Sequence, residues 1–226
     1  MWTQRSSAWP LPVASYTEAG LIFKCVWELV EQLRPVVVAT FFRIKTGVVG
    51  VDTSTGKHLW QIPWLGGHGA PTATPVVEGD KMFITTRGTT GGQCAMLQLT
   101  DGAAKIVWQS EDLDCHVASA VIWQGYIYGI QGTLNGRNAD LRCLDLAAGA
   151  VKWSQKGMGT GALILADGKL IVLGDRGDLL VAQAAPEGFQ QLAKAHVIDG
   201  HCWVQPVLSH GRLFCRSNQG DLVCLR

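Results

Sequence analysis

The sequence predicts an all-β protein made of repeated four-stranded antiparallel units. Three observations predict it. Gly supplies 27 of the 226 residues, roughly twice its usual share of about 7%, so tight turns are closely spaced. Alternating apolar segments broken by a small turn recur as "VVEGDKMFITT" (76–86), "VIWQGYIYGIQ" (121–131), "LILADGKLIVLG" (163–174) and "VLSHGRLFCRS" (207–217). Their turn residues Asp80, Gly125, Gly168 and Gly211 lie 45, 43 and 43 residues apart, while Trp60, Trp108 and Trp153 lie 48 and 45 apart. Two independent markers share a period near 45.

Each unit divides into four strands. An apolar strand opens it: "TATPVV", "ASAVIW", "GALILA" or "VQPVLS". A Gly or Asp turn leads to a second: "KMFIT", "YIYGI", "KLIVL" or "RLFCR". A polar, Gly-rich or Asn-rich link leads to a third: "CAMLQL", "LRCLDL", "DLLVAQA" or "DLVCL". An Asp/Gly turn then leads to a fourth that ends at Trp: "KHLW", "KIVW" or "AVKW". Four short antiparallel strands repeated every 40–50 residues form one blade of a β-propeller. In the last turn the Asp side chain caps backbone N–H groups, and Gly supplies a positive φ. This assigns Asp52, Gly56, Asp145 and Gly149 to the turns. Trp60, Trp108 and Trp153 are large enough to fill the gap between neighbouring blades, and each buried indole N–H needs an acceptor.

The pattern resembles the pyrroloquinoline quinone (PQQ)-type propeller repeat, whose docking motif is Asp-x-x-Thr-Gly-x-x-x-Trp. "DTSTGKHLW" (52–60) matches it in full, and "DLAAGAVKW" (145–153) lacks only the Thr, with Ala148 in its place. "LTDGAAKIVW" (99–108) is a displaced variant, and in "APEGFQQLAKAHV" (185–197) the Trp is gone. Residues 35–226 carry the resemblance. Residues 1–34 fit no blade, and read either as a coil followed by a helix near 21–33 or as a disordered head. The blade before Trp60 shows "PVVVATFF" and "GVVGVD" but no first strand, and the last blade has no fourth. The resemblance implies the C-terminal part of an eight-bladed ring. A closed five-bladed ring is the rival expectation.

Other classes find little support. A net charge of +1 offers no electrostatic footprint for nucleic acid. No apolar run reaches the length of about 18 residues that a membrane helix needs. "GLIFKCVWELV" (20–30) is interrupted by Lys24 and Glu28, and no signal peptide is visible before or after it. Seven Cys at wide spacing, without C-x-x-C, signal neither zinc nor a redox pair. They read as small buried hydrophobes. A Cys115–Cys202 disulfide would require their Cα atoms to approach within about 7 Å.

Propeller ligands bind on the face reached by loops from each outer strand to the next inner one. Here these are "GGHGAPTA" (66–73), "DLDCHVAS" (112–119), "GMGTGA" (157–162) and "DGHCWVQ" (199–205). They place His68, His116, His201 and Trp203 at equivalent positions, the candidate ligand-binding residues. Asp112, Asp114 and Asp199 are their only acids. No catalytic residue and no metal site are assigned.

The resemblance implies two functions. One is a noncatalytic module that binds a protein or peptide, as in the propeller scaffold of the bacterial outer-membrane assembly machine. It needs no cofactor. The alternative is a quinoprotein dehydrogenase using PQQ and calcium on alcohols or sugars. The family's enzymes carry adjacent cysteines, a Trp platform, an Asp base, and Glu and Asn calcium ligands. This chain has no adjacent cysteines and no matching acidic set near Trp203, which favours the scaffold. The resemblance also implies a periplasmic or extracellular location. Open blade edges imply self-association.

Overall fold

The computed structural model describes residues 36–40, 47–52, 55–64, 73–88, 91–116, 118–132 and 139–226. The head at 1–34 and His68 lie outside them. The described residues contain eighteen strands and no helix. The first sheet holds β1 (Val36–Thr40), β2 (Val48–Asp52) and β3 (His58–Ile62). Three complete blades follow. They are β4 (Val76–Glu78), β5 (Lys81–Gly88), β6 (Gly91–Thr100) and β7 (Ala103–Ser110); β8 (Val121–Trp123), β9 (Tyr126–Gln131), β10 (Asp140–Asp145) and β11 (Val151–Lys156); and β12 (Ala162–Ala166), β13 (Lys169–Leu173), β14 (Asp178–Gln183) and β15 (Gln190–His196). The last sheet holds β16 (Val207–Ser209), β17 (Arg212–Arg216) and β18 (Leu222–Leu225). Every pairing is antiparallel and joins strands consecutive in sequence. This is the predicted blade order; among the described residues the first sheet has no inner strand and the last no outer one.

Local chemistry explains the hairpins. Gln124–Gly125, Asp167–Gly168 and His210–Gly211 each place two successive residues at positive φ, the requirement of a two-residue turn whose twist matches its strands. At the outer hairpins Asp145 Oδ1 accepts the N–H of Ala147 and Ala148 at 2.9 and 2.8 Å. Asp52 Oδ1 accepts the N–H and hydroxyl of Thr55 at 2.8 and 2.9 Å.

One recurring device was not legible in the sequence. The third-to-fourth strand pairing slips at one point in four sheets: after Gly50, Met96, Cys143 and Val181. The residues opposite those positions are Trp60, Trp108, Trp153 and Ala193. A bulge bends the strand and re-aims the side chain beside it, so the Trp turns toward the next blade. Trp108 Nε1 donates to Leu146 O at 2.9 Å and Trp153 Nε1 to Ala185 O at 2.8 Å. Both acceptors sit in the outer region of the following blade. Trp60 packs with Leu97, Leu99 and Ala104 of the following blade. Where Ala193 replaces the Trp, β15 is exposed along its whole length.

Gly149 has φ +71° and forms the seat for Trp108: a Cβ there would lie 2.7 Å from the ring. Gly56 has nearly the same φ, +70°, with nothing near an added Cβ. Gly56→Ala is therefore expected to cost only backbone strain, about 1 kcal/mol. Gly149→Ala carries that strain and also displaces the indole, so it should cost clearly more. Urea denaturation of the two variants separates these effects, and equal losses would show that the Trp seat contributes nothing.

Candidate functional site on the loop face

Strand alternation brings two kinds of loop to one face: those from outer to next inner strand, and those between second and third strands. The contacts show it. Asp175 O in the β13–β14 turn accepts the N–H of Cys202, and His201 O accepts the N–H of Asn218. Thr85 in β5 donates its hydroxyl to Leu113 O at 2.6 Å and accepts Cys115 N–H at 3.0 Å.

The loop at 112–116 is held rigidly. Asp114 is 1% exposed and pairs with the Arg87 guanidinium through Oδ2. Its Oδ1 accepts Gly132 N–H at 3.1 Å, and its own N–H donates to Gln131 Oε1 at 2.5 Å. Gly92 lies against this carboxylate with no room for a Cβ. Burial nevertheless outweighs Arg87, so the Asp114 carboxyl lies above the usual carboxylate range. Arg142 Nη1 donates to Asp112 O at 2.6 Å, while Nη2 lies 3.6 Å from Asp140 Oδ2. His116 is half-buried beside Arg87 and Asp114, and burial, then Arg87, lowers its pKa.

His201 and Trp203 are placed differently. His201 is exposed and Trp203 half-buried, with ring centroids 5.8 Å apart. Trp203 N–H approaches Asn218 Oδ1 at 3.4 Å. His201 also lines a cleft of about 340 Å³ with Gly157, Met158, Gly159, Asp175 and Arg176. Nearby, His196 bridges Asp178 and Asp199 at 3.0 Å on each ring nitrogen, and Lys194 Nζ holds Asp178 Oδ2 at 3.0 Å. Asp199 first and Asp178 second raise the His196 pKa. Of the candidate residues, the structure thus gives His116 an ionic setting and His201 with Trp203 an aromatic one.

Sequence reasoning missed Arg87, Arg142, Arg176 and the His196 bridge. Arg87 lies 27 residues from Asp114, two strands before the loop that carries it, and no spacing rule links the two. Five cysteines pack as expected: Cys94, Cys115, Cys143, Cys202 and Cys215 are buried and free, and no Cys115–Cys202 bond forms; Cys224, also expected to be buried, is free and exposed, and Cys25 lies outside the described residues. Burial pushes the Cys115 thiol up to about 12 and Cys143 up to about 11, which makes them inert at neutral pH. Among the described residues no group of three His, Cys, Asp or Glu could hold a metal ion. No helix among them is long and apolar enough to cross a membrane.

No protein-family model matches the sequence, and no curated protein matches it. Solved structures do. The quinohemoprotein alcohol dehydrogenase ADHIIG of Pseudomonas putida HK5 is 11% identical, with a TM-score of 0.59, over 85% of this chain and 39% of that one. A chain of the mitotic checkpoint complex is 14% identical, with a TM-score of 0.63, over 85% and 61%. BamB from Moraxella catarrhalis is 15% identical, with a TM-score of 0.44, over 84% and 66%. The chain thus spans under two thirds of the length of each. At these identities the likeness is one of fold, and the fold is the β-propeller. The Trp residues that the sequence placed at the blade period lie between these blades, with Trp108 and Trp153 each donating to the blade that follows.

Proposed function

We propose that this chain is a noncatalytic PQQ-like propeller module that binds a protein or peptide on its loop face, outside the cytoplasm. The carrying observation is how the loop residues are used. Asp114 is buried in an ion pair with Arg87, whereas His201 and Trp203 stay accessible beside a cleft. A calcium-assisted quinone would need several accessible oxygen ligands and a carboxylate base. An aromatic pair at a rim suits peptide recognition, where Trp supplies contact area at little entropic cost. The test is a peptide array probed with the full chain. Peptides should be captured by the native chain and lost with Trp203→Ala. Saturable dye reduction on adding PQQ, calcium and an alcohol, abolished by Asp199→Asn, would overturn the reading.

The last sheet supports a second contact, with another copy of this chain. Register places Val207, Phe214 and Cys224 in one row across β16–β18, with Leu222 on the same side. Leu213, Cys215, Val223 and Leu225 face the preceding blade. In the β8–β11 blade the corresponding Tyr128 and Cys143 are fully buried and Val121 partly so, packed against the blade that follows. Here Val207 is 56% and Leu222 64% exposed. A second copy laid on this face continues the blade stacking already present in the chain. Sedimentation should show concentration-dependent association that disappears in Val207→Lys/Leu222→Lys. A sharp monomer at high concentration would sink it.

A further inference from the structure

The cleft beside His201 has a charge pattern that points to a ligand class. Its floor is apolar, formed by Met158, Val172 and Leu180. Its rim carries Asp175, Arg176, Asp178, Lys194 and His201. Two of these charges already satisfy each other: Lys194 holds one oxygen of Asp178 at 3.0 Å, and His196 holds the other at 3.0 Å. Asp199 is taken by His196 as well. Asp175 and Arg176 are different. Among the described residues neither side chain makes a hydrogen bond or ion pair, although Asp175 is half-buried. The Asp175 carboxylate lies against Gly159, whose missing Cβ leaves room for it. Arg176 and His201 also line an adjoining lobe with Gly200.

One free carboxylate and one free guanidinium on adjacent residues constrain the guest. A simple anion would meet Arg176 favourably and Asp175 unfavourably, and a simple cation the reverse. Desolvating either charge without a partner is costly. A guest with both charges satisfies both groups, and an aliphatic tail covers the floor. About 340 Å³ is at the small end of ligand pockets. We propose that this cleft binds a free α-amino acid with an aliphatic side chain, its carboxylate on Arg176, its ammonium on Asp175 and its tail on Met158, Val172 and Leu180. The site stands whether or not the loop face also holds a protein.

The experiment is calorimetric titration of the full chain with L-leucine, leucinamide and 4-methylpentanoate. Leucinamide lacks the carboxylate, and 4-methylpentanoate lacks the ammonium. Leucine should bind at least about tenfold more tightly than either. Arg176→Met should erase the advantage over leucinamide and keep that over 4-methylpentanoate, and Asp175→Asn should do the opposite. Both variants should keep the native circular dichroism and melting point, because Asp175 holds Cys202 through its backbone carbonyl. No heat with millimolar leucine, equal binding of all three compounds, or any other pattern in the two variants overturns the proposal.

Discussion

Trp108→Ala is expected to destabilise the protein by about 3 kcal/mol, the lower end for a buried Trp because the indole is partly exposed. For a chain this long that is a fall of roughly 10 °C in melting midpoint. Three losses combine. The ring leaves a gap between blades, where it packs against Phe83 at 6.0 Å and against Gly149. Leu146 O loses its donor at 2.9 Å. The bulge after Met96 no longer carries the side chain it re-aims. Trp108→Phe should fall between, since it keeps an aromatic ring and loses the hydrogen bond, worth about 1 kcal/mol. Thermal and urea unfolding measure the series. A Trp108→Ala variant that unfolds like the native chain would show that the blades do not depend on this contact.

Arg87→Met is expected to cost more, about 3–5 kcal/mol at neutral pH, because it leaves the Asp114 carboxylate buried without its cation. The pH profile identifies the cause. Asp114 already holds its proton more tightly in the folded chain than an ordinary carboxyl does. Its contribution to stability is therefore best in acid. It falls as pH rises from the unfolded value, about 3.9, through the raised folded value, and is level above that. Without Arg87 the carboxyl shifts further upward, so the loss at neutral pH deepens. The variant should approach native stability as the pH is lowered through that window. Adding Asp114→Asn should recover much of the loss, since no buried charge remains. Loss that is independent of pH and unrelieved by Asp114→Asn would point to packing alone.

Much of the architecture was legible because propeller blades repeat. Turn residues at a 43–45 residue spacing and Trp at a similar one mark the hairpins and outer strands. Asp and Gly act within a few residues of their own position, so Asp145 and Gly149 could be read from local chemistry and are found in those roles. The bulges were invisible, because a one-residue slip after Cys143 depends on which residue lies opposite, and that is a property of two strands together. The loop face was only half legible. The loops after β7, β11 and β15 lie where the sequence placed them, yet the setting of His116 comes from Arg87 on β5, and that of His201 from Arg176 in another turn.

The sequence by itself determined the strand order, the turn chemistry and the Trp spacing, since each rests on side chains acting on nearby backbone. Only the tertiary structure decided which charges are spent and which are free. Asp114 and Asp175 occupy loops of the same face, and nothing in their neighbouring residues separates them. Asp114 is buried against a guanidinium carried from β5, whereas Asp175 lies half-buried against Gly159 without a charged partner among the described residues. A carboxylate's availability depends on the charges and the dielectric that folding brings to it across the blades, and sequence distance does not record that.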